Sequence, residues 1–209
     1  MTPPIQIACW AAASSPRRRP STLSEALDAR SGLPEAHRWL LETYPRLRWR
    51  DAELGEVARF WLQMHGSFRH KQAEMARHVA AWRAGGDLVT FHRGLIPTLQ
   101  AYLQHLDGHH RVESGHYFPV MRRVEPRITA GIDLLDADHD AIHGQLEALF
   151  KAGLAFHQSL AGGAPDAADR AARLSDVLDH ASRQTDRHLE DEEDIVIPLI
   201  QRHADAFAH

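Results

Sequence analysis

A histidine and a glutamate four residues apart occur twice in this sequence, each time with a proline at the same further offset: His109, Glu113 and Pro119, then His188, Glu192 and Pro198. Four steps along a helix turn about 40° past a full revolution, so the two side chains stand one above the other and can grip one cation or two neighbouring ones. Each pair interrupts an apolar stripe. Leu95, Leu99, Tyr102 and Leu106 lead into His109, Glu113, His116 and Val120, while Leu174, Leu178, Ala181 and Thr185 lead into His188, Glu192, Ile195 and Leu199. Two further stripes each hold one histidine among apolar residues, His65 between Trp61 and Phe68, and His139 between Leu135 and Ile142. An ionised carboxylate in an apolar core must be paired, protonated or bound to metal. Imidazole suits iron and zinc, and a carboxylate can bridge two ions, so the expected chemistry is a dimetal site in the core. A bundle with these histidines on its solvent face is the plain alternative, and it conflicts with their place in the stripes.

Long helices must position such a set. Steps of three and four define helical segments over about 51–82, stopped by Gly85 and Gly86, and about 90–124, ended before Pro126. Two more follow over about 127–160 and, after Gly162, Gly163 and Pro165, about 166–203. The chain reads as two helical hairpins, each supplying half of one site, and short connections make the helices antiparallel neighbours around one core. Pro3, Pro4, Pro16 and Pro20 mark residues 1 to about 32 as largely irregular, with a short helix from Ser24. A second short helix is expected over 33–44, opened by Pro34 and ended before Pro45. The division is therefore an N-terminal extension over 1–47 and a bundle over 48–205, with Trp39, Trp49 and Trp61 packing the extension onto the bundle.

Composition agrees with an all-α protein, because straight-chain residues outnumber β-branched ones. A net charge of −4, with basic residues scattered among acidic ones, argues against nucleic acid as a partner. Cys9 is the only cysteine, which excludes an intramolecular disulfide and fits a reducing cytoplasm. No apolar run approaches the roughly 20 residues that span a bilayer, and the stretch 5–13 reads as a tail, not a secretory signal. Sixteen histidines are a heavy load, of which His70, His78 and His92, interleaved with arginines, read as solvated surface.

The runs His109-His110-Arg111-Val112-Glu113 into Tyr117-Phe118-Pro119, Leu134-Leu135-Asp136-Ala137-Asp138-His139, and His188-Leu189-Glu190-Asp191-Glu192-Glu193 into Ile197-Pro198 resemble the hemerythrin-like family, also called the HHE cation-binding domain. The resemblance covers about 53–203. It implies a di-iron site in an up-down-up-down four-helix bundle, with His65, His109, Glu113, His139, His143, His188 and a fourth-helix carboxylate as the metal ligands. Glu192 is preferred to Glu193 as that carboxylate, because it shares the stripe of Ile195 and Leu199 while Glu193 lies about 100° further round. His116 also falls on a buried stripe, as ligand or as hydrogen-bond partner to one.

The function this implies is a non-heme di-iron protein that binds a small diatomic molecule, O2 or NO, as carrier, sensor or scavenger. The alternatives are a di-iron oxidoreductase acting on peroxide or NO or repairing iron centres, and a storage or structural site for iron or zinc. Redox turnover would need a separate electron-donor protein, since the sequence has no nicotinamide or flavin fingerprint. Whether the protein is an enzyme is left open by the sequence.

Overall fold

An apolar stripe on each of four helices can be buried only against the stripes of the others, and the chain satisfies all four at once. The structure is a computed structural model in which residues 26–50 and 54–207 are described. The tail over 1–25, with Cys9 and the helix start at Ser24, lies outside the described residues, as do residues 51–53. The helices are α1 (Glu56–Arg83), α2 (Leu88–Val112), α3 (Phe118–Val124), α4 (Thr129–Ala161) and α5 (Ala167–Arg202). Helix α3 continues α2 after a five-residue π turn, Glu113–Tyr117, so α2 and α3 together form one leg. Helix α1 packs beside α2 and α5, and α4 beside α2 and α5, which closes a ring of up-down-up-down legs. No strand occurs among the described residues.

Local chemistry sets the ends. Asp87 accepts a hydrogen bond from the Thr90 backbone N–H at 2.9 Å and so opens α2 slightly ahead of the expected start. Gly85 at φ 101° and Gly163 at φ 64° turn the chain after α1 and α4 in a conformation that costs other residues about 1 kcal/mol or more.

The core consists of two apolar blocks. One holds Phe68, Met75, Leu95, Leu106, Leu146 and Phe156 with their neighbours. The other holds Leu40, Trp61, Phe118, Met121, Ile132, Leu135 and Ile195. The stripe histidines and glutamates lie at the junction between these blocks. No helix of the described residues is long and apolar enough to cross a membrane.

Two expectations change. The segment 33–44 forms two separate 3-10 turns, Glu35–His37 and Trp39–Glu42, in place of one helix. A helix this short is marginal on its own, and here docking decides the shape: Leu33 and Leu40 are buried in the second block, and the Arg127 guanidinium lies 3.8 Å above the Trp39 ring. The second change concerns the stripe Glu113, His116, Val120. The π turn adds a residue to that revolution and advances the following side chains by about 100°, so Phe118 and Met121 point inward and His116 is exposed. Of the three surface histidines, His70 is exposed, but His78 and His92 are half-buried, and His92 Nε2 lies 2.8 Å from His157 Nδ1.

Candidate metal centre

Helix α1 contributes His65, α2 the adjacent His109 and His110, the π turn Glu113, α4 His139, and α5 His188 and Glu192. Among the described residues these form two groups, His65, His109, Glu113 and Glu192 in one, and His110, His139 and His188 in the other; within each group one donor atom per residue lies within 4.8 Å of all the rest. The two carboxylates join the groups. Glu113 Oε1 is 2.8 Å from His109 Nε2 and its Oε2 is 3.5 Å from His139 Nε2. Glu192 Oε1 is 3.4 Å from His65 Nε2, and its Oε2 is 3.0 Å from His188 Nε2.

All but one of these donor atoms lack any other partner. The Nε2 atoms of all five histidines, both oxygens of Glu113 and Oε2 of Glu192 are buried without a hydrogen-bond partner. Buried polar atoms are hydrogen-bonded in the great majority of cases, so orphans converging on one point require an occupant. Imidazole nitrogens and carboxylate oxygens call for a cation, and iron or zinc suits the set.

The opposite edge of three rings explains why those Nε2 atoms are available. His65 Nδ1 lies 3.0 Å from Glu193 Oε1, which also accepts from Arg69 Nη1 at 2.7 Å. His139 Nδ1 lies 2.9 Å from Ser114 Oγ, whose hydroxyl donates to Asp136 at 2.6 Å, and Asp136 accepts from Arg122. His188 Nδ1 lies 3.3 Å from Asp138 Oδ2, which pairs with Arg30. An acceptor beside Nδ1 holds the proton there, which leaves the Nε2 lone pair facing the centre. Glu193, on the fourth-helix face not chosen for a ligand, thus orients one. Trp61 does the same for a carboxylate: its indole N–H donates to Glu192 Oε1 at 2.7 Å.

Without cations the group balances its charge with protons. Burial pushes His109 down to about 3, with Glu192 offsetting only part of it, and burial likewise lowers His110 and His139. For His188 burial acts downward too, but Asp138 and Glu192 outweigh it and raise the ring to about 9; His65 is raised in the same way by Glu192 and Glu193. Burial, followed by the charge of Glu192, lifts Glu113 well above the usual carboxylate range. Glu192 stays well below it despite burial, because His139, His188 and His65 surround it.

Six of the seven expected side chains meet here. His143 does not: its side chain is 35% exposed, its Nδ1 lies 3.2 Å from Asp107 and its Nε2 3.6 Å from Glu147. The residue that the sequence reading missed is His110, whose ring stacks on His139 at 4.0 Å between centroids. A signal for it exists in a second line along α2, Leu99, Leu103, Leu106 and His110, all buried, with the same steps of three and four.

An all-α bundle whose core layer is built from histidine and glutamate donors is a cation-binding protein of the four-helix type. The sequence model of the Hemerythrin HHE cation binding domain matches residues 32–200, and the chain belongs to that family. No curated protein and no solved structure matches it.

Proposed function

We propose that the protein holds two iron ions between His65, His109, His110, His139, His188, Glu113 and Glu192, and binds a small diatomic molecule, O2 or NO, as carrier, sensor or scavenger. The observation that carries this reading is the pair of carboxylates reaching both groups of orphaned nitrogens. Seven side chains supply fewer donors than two six-coordinate ions accept, so a small molecule can complete the set. Iron so held would supply reversible electron transfer to a diatomic ligand. The chain's own residues confine the site: His65, His188 and Glu192 are fully buried, and Phe68 and Trp61 pack edge or face against the histidine rings. Such walls keep bulk water and bulky substrates away from the centre.

The test is iron content on protein produced with iron supplied, with absorption spectra before and after anaerobic reduction and exposure to O2 or NO. About two irons per chain with a reversible charge-transfer band is the expected result. Iron without any spectral response to either gas sinks the reading, and consumption of NO or peroxide beyond one equivalent per site replaces it with the oxidoreductase. The choice of His110 over His143 has its own check. His110→Ala should lower the metal content by about one ion per chain, whereas His143→Ala should leave it unchanged.

A further inference from the structure

The side chain of Arg30 is 3% exposed, yet it comes from the segment ahead of the bundle and ahead of the residues that the family model matches. Its Nη1 donates to Asp138 Oδ1 at 2.8 Å, its Nη2 to Asp138 Oδ2, and its Nε to Asp191 Oδ2 at 2.8 Å. Arg187 ties down the next residue and the same aspartate, donating to the Ser31 carbonyl at 3.0 Å and pairing with Asp191 Oδ1 at 2.7 Å. A buried ion pair of this kind is poor value as a stabiliser, since apolar residues of similar size commonly do as well. Its position offers another role: the Asp138 oxygen that takes Arg30 Nη2 is the one facing His188 Nδ1 at 3.3 Å.

We propose that Arg30 is a positioning residue for the metal centre, a clasp from the preceding segment that fixes Asp138 and through it the tautomer and aim of His188. The fork geometry of guanidinium on carboxylate locks the plane of Asp138, which a point charge would not do. Without the Arg30 fork, nothing fixes the plane of Asp138, and its carboxylate can turn away from His188. That rotation removes the acceptor that keeps the His188 proton on Nδ1. The effect is local to the group of His110, His139 and His188, because His65 is oriented by Glu193 and Arg69 instead.

This inference rests on the two-ion reading above, and the experiment separates their failures. Iron-loaded protein is challenged with excess chelator and the release of iron is followed in time. Wild-type protein should release two ions in two phases; if it never holds two, the di-iron reading fails and the clasp falls with it before any variant is made. Arg30→Gln should accelerate one phase by about 10-fold to 100-fold and leave the other unchanged, the size seen when partners of metal-binding histidines are removed. Arg30→Lys, which keeps the charge without the fork and protects the test if the glutamine variant does not fold, should accelerate the same phase by less. Asp138→Asn should mimic Arg30→Gln, and the double variant should be no faster than Asp138→Asn alone. Equal acceleration of both phases, or full additivity of the two substitutions, would mean that Arg30 only holds the fold together and would overturn the proposal.

Discussion

Replacing Glu192 with alanine should cost the protein both ions, not one. Its Oε1 faces His65 and its Oε2 faces His188, so a single carboxylate serves both groups of nitrogens. Loss of His110 removes one donor from one group, but loss of Glu192 removes a donor from each and leaves Glu113 alone to join them, and the metal content should drop from about two ions per chain to well below one. Glu192→Gln is the informative companion. An amide keeps the side-chain volume and an oxygen for the Trp61 indole, now 2.7 Å from Glu192 Oε1, but it brings no negative charge. Elemental analysis and circular dichroism on both variants decide the matter: a glutamine variant that is helical and still holds two ions would show that Glu192 is not shared between them.

The second large effect is on pH. In the metal-free protein His188 is held at about 9, so near neutrality it carries a proton on the Nε2 that faces the centre, and the surroundings of His65 and Glu113 shift both of these in the same direction. A cation needs that lone pair, and loading near neutrality must therefore expel the His188 proton. Apparent affinity should climb by about one decade per pH unit below pH 9 on account of the His188 proton, and flatten above pH 9 as His188 loses it unaided. Calorimetric titration in buffers of different ionisation enthalpy counts the protons; none released near pH 7 would contradict the assignment.

The same shifts fix how the metal-free fold responds. A histidine raised from 6.5 to about 9 contributes stability that is fully present below pH 6.5 and is lost as the pH rises through 9, here up to about 3 kcal/mol. His109, lowered to about 3, acts in the opposite sense, its contribution being lost as the pH falls from 6.5 toward 3. Melting temperatures of the metal-free protein should therefore fall between pH 6.5 and 9.5, while the loaded protein, with no such protons to lose, should hold steady.

Much of this architecture can be read from residue spacing. Steps of three and four placed His65, His139, His188 and Glu192 on buried faces, where the structure has them. The method follows one line per helix, and that is where it stops short. Helix α2 lies beside both α1 and α4 and uses two lines, so His109 and His110 serve different groups although they are adjacent. The π turn breaks the period within a single revolution, which no stripe drawn at 3.6 residues per turn can follow, and His116 and Phe118 exchange places as a result. Trp61 and Arg30 escape for a different reason. Their hydrogen bonds to Glu192 and Asp138 join residues more than a hundred positions apart, and a single polar contact at that distance leaves no periodic trace.

The division of the core into two apolar blocks also bears on the unfolded chain. Each block alone is an ordinary packing of side chains that any denaturant can solvate piece by piece. Two cations set between them would tie α1, α2, α4 and α5 together at one level, as a cross-link does, and so join residues as distant in sequence as His65 and Glu192. Because the ions are held only while the four helices meet, their binding free energy adds to that of folding. Loaded protein should thus gain cooperativity as well as affinity, with both blocks melting as one unit because neither can open without giving up the ions that it shares with the other.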